Sequence, residues 1–246
     1  MRALIFIRGE TAPTKPQYVY QLKLMKVTSQ PTDITRKARP FRALLIDLDG
    51  VLRLWPSSHA ILEQTHGLPV GALNHTAFEP ILLDEDVTGK ISDETWREKI
   101  AERLTLAHPD ANVSDAVATW SAGVGELNQL VFDLVKRLPA DISVILVTNV
   151  TSRLNRDLEA LGLANFFYSI VNASEIGFAK PSPEIFVAAL KAASVAANEA
   201  LFVDDSTGNV AVAAQLGTRA LHFTSVEGLS AFFSETGVSE RLSEHD

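Results

Sequence analysis

The chain of 246 residues contains no cysteine. Disulfides, thiolate catalysis, zinc fingers and iron–sulfur clusters are therefore excluded. The absence fits a reducing compartment, so a cytoplasmic location is expected. No stretch approaches the roughly 20 apolar residues that span a bilayer, and no membrane partner is expected. The apolar segment within residues 1–8 is too short for a signal peptide. No G-x-G-x-x-G or P-loop pattern occurs, which leaves nucleotide binding without support. The six histidines form no His-Glu-x-x-His or other metal-binding spacing. What remains is an ordinary globular composition, 46% apolar and 21% charged. The length suffices for a full core, with or without a small insert.

Charge is unevenly spread. Residues 1–42 carry nine Lys or Arg against Glu10 and Asp33, although the whole chain has a net charge of -8. The body is therefore strongly acidic, which argues against nucleic acid as a partner, since phosphate backbones call for clustered basic surface. The basic leader, residues 1–40, has no sustained periodicity and is expected to be disordered. It reads either as a targeting or anion-binding tail, or as sequence ahead of a true start at Met25.

Apolar, β-branched runs recur at residues 43–48, 143–147, 168–171, 201–203 and 219–223. Helical patterns at 153–161, 183–193 and 208–216 lie between the later ones, with Gly162 and Gly217 placed to end helices. This alternation predicts an α/β fold, a Rossmann-like doubly wound parallel sheet with helices on both faces. Right-handed crossovers place every strand's C-terminal end on one edge, where such sheets bind ligands. About ninety residues separate the first two strands, far more than one crossover needs. Helical patterns at 58–65, 70–78, 93–106, 114–118 and 126–138 occupy that interval. The last is assigned to the core, and residues 54–123 to a helical insert hinged at 123–125. The expected core is therefore 41–53 plus 124–246.

The strand ends carry the chemistry. The first run ends in Asp47-Leu48-Asp49-Gly50. Two carboxylates beside a tight turn suit a nucleophile and a proton donor with a divalent cation nearby, although a strand end followed by a turn would also account for them. The second run ends in Thr148-Asn149. Either residue could cap the next helix, or Thr148 could bind an anion together with free N–H groups at the helix start. After the third, Lys180 precedes Pro181 and Pro183, so its ammonium sits on a rigid loop where it could neutralise developing charge. The fourth ends in Asp204-Asp205, oxygen donors of the kind Mg²⁺ prefers, with Asn209 placed to orient one of them. Arg53 and Trp55, just after the first acids, are candidates for substrate contact, packing or surface roles. Trp96 and Trp120 read as packing residues of the insert.

Taken in order, Asp47-x-Asp49, Thr148, Lys180 and Asp204-Asp205 resemble the four motifs of the haloacid dehalogenase superfamily. The resemblance covers roughly residues 42–223 and extends to the stretches 180–186 and 202–210. The insert is similar to that family's helical cap of the first type, and residues 89–96 resemble the cap of its epoxide-hydrolase-like phosphatase branch.

The resemblance implies a Mg²⁺-dependent phosphatase acting on a small phosphorylated metabolite. Asp47 would be the nucleophile and form an aspartyl phosphate, and Asp49 the general acid and base. Lys180, Thr148 and Asn149 would serve the phosphoryl group. Asp47, the Asp49 main-chain carbonyl and Asp205 would hold the metal, with Asp204 binding it directly or through water. A phosphomutase would use the same residues. A 2-haloacid dehalogenase would not need the acid at Asp49. An inert regulatory module or a receiver domain fits less well, the former because every catalytic residue type is present, the latter because of motif order and the long insert. The sequence leaves the substrate, and the choice between monomer and homodimer, open.

Overall fold

A computed structural model describes residues 40–56 and 58–238. The expectations for the basic leader, including a start at Met25, fall on residues outside those described. The chain runs β1 (Ala43–Ile46), β2 (Arg53–Leu54), α1 (Ala60–Thr65), α2 (Ala72–Ala77), α3 (Pro80–Val87), α4 (Asp93–Ala107), α5 (Val113–Ala122) and β3 (Glu126–Leu127). It continues through α6 (Gln129–Lys136), β4 (Ser143–Thr148), α7 (Leu154–Ala160), β5 (Ser169–Asn172), α8 (Ala173–Ile176) and α9 (Pro183–Ala193). A short 3-10 turn leads to β6 (Ala200–Asp204), α10 (Thr207–Gln215), β7 (Arg219–His222) and α11 (Val226–Thr236).

Five strands form one sheet in the order β5-β4-β1-β6-β7, and every neighbouring pair is parallel. The chain steps outward from β1 through β4 to β5, then returns to the other side of β1 for β6 and β7. The strand order reverses at β1, and α/β sheets open a crevice at such a reversal beyond the strand C-termini.

Alternation along the strands builds two cores. Leu44, Ile46, Leu146, Leu201 and Val203 face one layer, where they pack with residues of α6, α7 and α11. Ala43, Leu45, Ile145, Val147 and Phe202 face the other, against α9 and α10. Phe186 meets Phe202 edge to face, with ring centroids 5.2 Å apart. The central strand β1 is buried on both faces, as an all-parallel sheet demands.

Helices α1 to α5 form a cap with a core of its own, in which Leu73, Leu82, Trp96, Ile100 and Leu104 are buried together. Trp96 and Trp120 pack there as expected, 5.6 Å between centroids. The sequence pattern at 126–138 proved to be two elements. Glu126 and Leu127 pair antiparallel with Leu54 and Arg53. The helix starts only after Asn128, whose side-chain Oδ1 accepts from Val131 N and whose Nδ2 donates to Val51 O. This small hairpin carries the chain into and out of the cap.

Three helices, α3, α8 and α11, lacked any sequence assignment, and α8 is a single turn closed by Gly177 in the left-handed conformation. α3 begins with Pro80 after the N-cap Glu79, which accepts from Leu82 N. α11 begins at the N-cap Ser225 and ends at Gly237 in the left-handed conformation.

Cap and core also meet at Gly89, just beyond α3. Its φ is +70°, and a Cβ there would lie 2.0 Å from the Ser174 carbonyl oxygen of α8. Gly89→Ala therefore combines a disfavoured backbone conformation with a backbone clash and should destabilise the protein by about 1–3 kcal/mol in urea unfolding. Gly162→Ala, at φ +72° with nothing within 4 Å of the added Cβ, should cost distinctly less. Equal costs would contradict the close cap–core approach.

Candidate functional site

The tips of β1 and β6 lie side by side, since Ile46 is in register with Val203, and Asp47 N continues the ladder by donating to Val203 O at 3.0 Å. This places the Asp47 side chain next to Asp204. Between them stands Lys180, whose Nζ is 2.7 Å from Asp47 Oδ1 and 2.7 Å from Asp204 Oδ2. All three residues are buried. Burial disfavours the ammonium, but the two carboxylates more than offset this and hold the Lys180 pKa above its ordinary value. Burial pushes the Asp47 carboxyl up to about 7; Lys180 opposes the rise and Asp204 adds to it.

The loop bearing Lys180 is anchored from β4. Asn149 donates through Nδ2 to Lys180 O at 2.9 Å and accepts from Lys180 N at 2.8 Å. Both ends of that amide are thus engaged with the Lys180 main chain. Asn149, expected from the sequence to serve the phosphoryl group, thereby clamps the loop that carries the lysine. Thr148 is buried, and its hydroxyl has no hydrogen-bond partner among the described residues. An unpartnered buried hydroxyl at a strand tip is costly unless something else meets it.

Asp204 is fully engaged. Ser206 N and Asn209 Nδ2 each donate to its Oδ1 at 2.8 Å, and Lys180 holds Oδ2. Asn209 does orient one of the paired acids. Asp205 is exposed, and Asp47, Asp204 and Asp205 each offer a carboxylate oxygen within 4.8 Å of the others. Three hard oxygen donors this close suit a small divalent cation. Gly50 makes the approach possible: at φ +78°, a Cβ there would fall 1.9 Å from Asp205 Oδ2. Both hydrogen bonds of Asp47, from Leu48 N and Lys180, fall on Oδ1, leaving Oδ2 open among the described residues.

Asp49 points into a cavity of about 260 Å³ between cap and core. Arg53 grips it with two bonds, Nε to Oδ1 at 2.6 Å and NH2 to Oδ2 at 2.9 Å, and Trp55 Nε1 donates to Oδ1 at 2.6 Å. Arg53 itself is 2% exposed and also binds Asp157 Oδ2 at 2.8 Å. Asp157 takes Arg153 on its other oxygen, and Arg153 reaches Ser121 O and Gly123 O at the cap's end. A second link joins Asp93, first residue of α4, to Thr151 Oγ1 at 2.8 Å and Arg97 at 2.6 Å.

Asp157, Arg153 and Asp93 went unnoticed in the sequence. The Arg153–Asp157 spacing on one helix face was a usable signal. The partnership of Arg53 with Asp157, 104 residues apart, left none.

A family model for haloacid dehalogenase-like hydrolases matches residues 41–217. Among solved structures, a HAD family enzyme from Bacteroides thetaiotaomicron in complex with magnesium is 25% identical, with a TM-score of 0.63, and the match covers 79% of this chain and 99% of that one. A mutant form of that enzyme, in complex with magnesium and inorganic phosphate, is also 25% identical, with a TM-score of 0.62 over 78% of this chain and 99% of that one. A 2-haloacid dehalogenase from Pseudomonas syringae pv. tomato is 22% identical, with a TM-score of 0.56 over 79% of this chain and 99% of that one, a likeness of fold. The ordered strand-tip residues, the parallel sheet with its helical cap and the match over most of the length lead to one assignment: the chain belongs to the haloacid dehalogenase-like hydrolase family.

Proposed function

We propose that the protein is a magnesium-dependent phosphatase that hydrolyses the phosphomonoester of a small metabolite through an aspartyl phosphate on Asp47. The observation that carries this reading is the junction at Lys180, where one buried ammonium binds the Asp47 carboxylate while leaving its second oxygen open. An oriented carboxylate beside fixed positive charge is what in-line attack on phosphorus needs.

Asp47, the Asp49 main-chain carbonyl and Asp205 would hold Mg²⁺, with Asp204 as a direct or water-mediated partner. When bound, the cation supplies charge neutralisation for the phosphoryl oxygens. Lys180 adds fixed charge on the same side, and the Thr148 hydroxyl, unpartnered among the described residues, hydrogen-bonds a phosphoryl oxygen. Asp47 Oδ2 forms the bond to phosphorus as the bond to the ester oxygen breaks, and Asp49 delivers its proton to the departing alkoxide. Asp49 then takes a proton from the water that cleaves the aspartyl phosphate, and phosphate leaves. For these steps Asp49 exchanges its contacts to Arg53 and Trp55 for the ester oxygen, which enters from the same cavity. Carbon–halogen cleavage would need neither this acid nor the cation cluster, which favours phosphorus over carbon as the electrophile. A phosphomutase would share the first half-reaction and would yield a bisphosphate in place of free phosphate.

Asp47→Asn should lower phosphate release from a panel of phosphorylated metabolites by about a thousandfold or more while leaving the thermal unfolding transition cooperative. Activity near wild type would remove Asp47 as nucleophile.

Magnesium should stabilise the protein more at pH 8 than at pH 6. The Asp47 carboxyl, raised from 3.8 to about 7 when folded, holds a proton that the unfolded chain has lost. Its contribution to metal-free stability is therefore full below about pH 4 and disappears as pH rises towards 7. A cation competes for the same oxygens, so its stabilising effect grows over that window. Scanning fluorimetry with and without magnesium chloride checks this, and equal shifts at both pH values would contradict it.

Gly50→Ala pushes a methyl group into Asp205. The magnesium concentration for half-maximal turnover should rise by about tenfold or more, as disturbing a ligand's support commonly does. An unchanged metal requirement would count against Asp205 as a ligand.

A further inference from the structure

The cap contributes a set of polar atoms that the protein itself leaves unmet. Asp86, on α3, is 0% exposed, and neither of its carboxylate oxygens has a hydrogen-bond partner among the described residues. On α4, Trp96 Nε1 and Arg97 Nε are likewise buried and unpartnered among those residues. All three residues line the cavity that reaches Asp49. Two unmet acceptors and two unmet donors therefore belong to residues that line one cavity, where each missing bond costs about 1–3 kcal/mol. Unsatisfied groups at this density call for a ligand.

The charges around the cavity sharpen the point. Arg53 is paired with Asp49 and Asp157, Arg153 with Asp157, and Arg97 with Asp93. Among the acids lining the cavity, Asp86 alone has no cation paired with it among the described residues. Burial pushes its carboxyl up to about 7, Asp93 adds to the rise, and Arg97 opposes it.

We infer that Asp86, with Trp96 Nε1 and Arg97 Nε, is the specificity-determining group of this site and reads free hydroxyls on the leaving group, so that the substrates are sugar or polyol phosphates. This rests on the phosphatase reading above. A hydroxyl donates once and accepts twice, so neighbouring hydroxyls can give protons to Asp86 and take hydrogen bonds from the indole and guanidinium. An ammonium has only donors and would leave Trp96 and Arg97 unmet while adding a cation beside Arg97. A carboxylate on the ligand would face Asp86. A plain alkyl group would satisfy none of the four atoms. The remaining walls suit a carbon skeleton that bears hydroxyls, because Trp96 and Trp120 pack against each other there and present apolar faces to C–H groups. The volume is small beside the roughly 300–1,000 Å³ of drug-sized sites, as a compact polyol requires.

Two measurements on the full chain with magnesium test this. In the first, kcat/KM is compared for glycerol phosphate and glucose 6-phosphate against propyl phosphate and aminoethyl phosphate. The hydroxylated esters should lead by about tenfold or more, because a site built to hydrogen-bond a hydroxyl rejects analogues that lack it. Asp86→Asn should shrink that ratio by about tenfold, which corresponds to about 1.4 kcal/mol. In the second, the same esters are titrated calorimetrically into Asp47→Asn protein, with and without Asp86→Asn, so that recognition is read without turnover. Hydroxyl preference in binding with no turnover of any ester by the wild type would sink the phosphatase reading and leave this pocket assignment standing. Turnover with no preference, a preference for aminoethyl phosphate, or a preference untouched by Asp86→Asn would overturn the assignment. Thermal unfolding guards against a merely structural role. Asp86→Asn should raise the ligand-free Tm at pH 8, since it removes an unpaired buried charge, and a lowered Tm would also overturn the assignment.

Discussion

One buried ammonium organises this molecule. Lys180 sits between two carboxylates from adjacent strands, Asp47 at the end of β1 and Asp204 at the end of β6. Neither acid would tolerate burial beside the other without it, and the lysine would not tolerate burial without them. The junction in turn requires the parallel register of β1 and β6 and the Asn149 clamp that fixes the lysine's loop to β4. Three strands and one loop are thereby locked around a single point, with one oxygen of Asp47 left free. The sheet's hydrophobic layers supply the stability that makes so unfavourable a cluster possible.

Around that point lie two electrostatic layers of different character. The inner wall of the cavity, from Arg53 through Asp49 and Asp157 to Arg153, is fully paired and ties core to cap. The outer wall, on α3 and α4, pairs Asp93 with Arg97 but leaves Asp86, Trp96 Nε1 and Arg97 Nε unmet among the described residues. A protein gains rigidity from the first and recognition from the second, since a group already satisfied has nothing left to offer a ligand. The hairpin of β2 and β3 and the packing of Gly89 on Ser174 hold the two walls face to face.

Much of the core was legible in the chain. An apolar run that ends in acids is a poor surface and a poor interior, so Asp47, Asp204 and Asp205 stood out as strand tips. Lys180 stood out because prolines stiffen its loop. The helical pattern starts too early, at Glu126, because Leu127 continues the apolar period of α6, and the pairing that claims it comes from Arg53 and Leu54, more than seventy residues away in sequence. α3 and α11 had local signals, Glu79-Pro80 and Ser225 with Gly237, that weak periodicity obscured. Asp86 and Asp157 were beyond reach. An acid on a helix reads as surface by composition, and only the three-dimensional arrangement shows one of them doubly paired and the other unmet. Asn149 could be read as a cap or an anion ligand, and its true partner, the Lys180 main chain, is 31 residues distant.

Where phosphorus becomes attached decides whether Asp47 is the nucleophile. Wild-type protein turning over a phosphate ester labelled in the phosphoryl group, quenched in acid within milliseconds and digested, should yield label on the peptide containing Asp47. Borohydride reduction should then convert that one aspartyl phosphate to homoserine. Label on another residue, or release of phosphate with no labelled peptide at any quench time, would contradict covalent catalysis by the carboxylate that Lys180 holds in place.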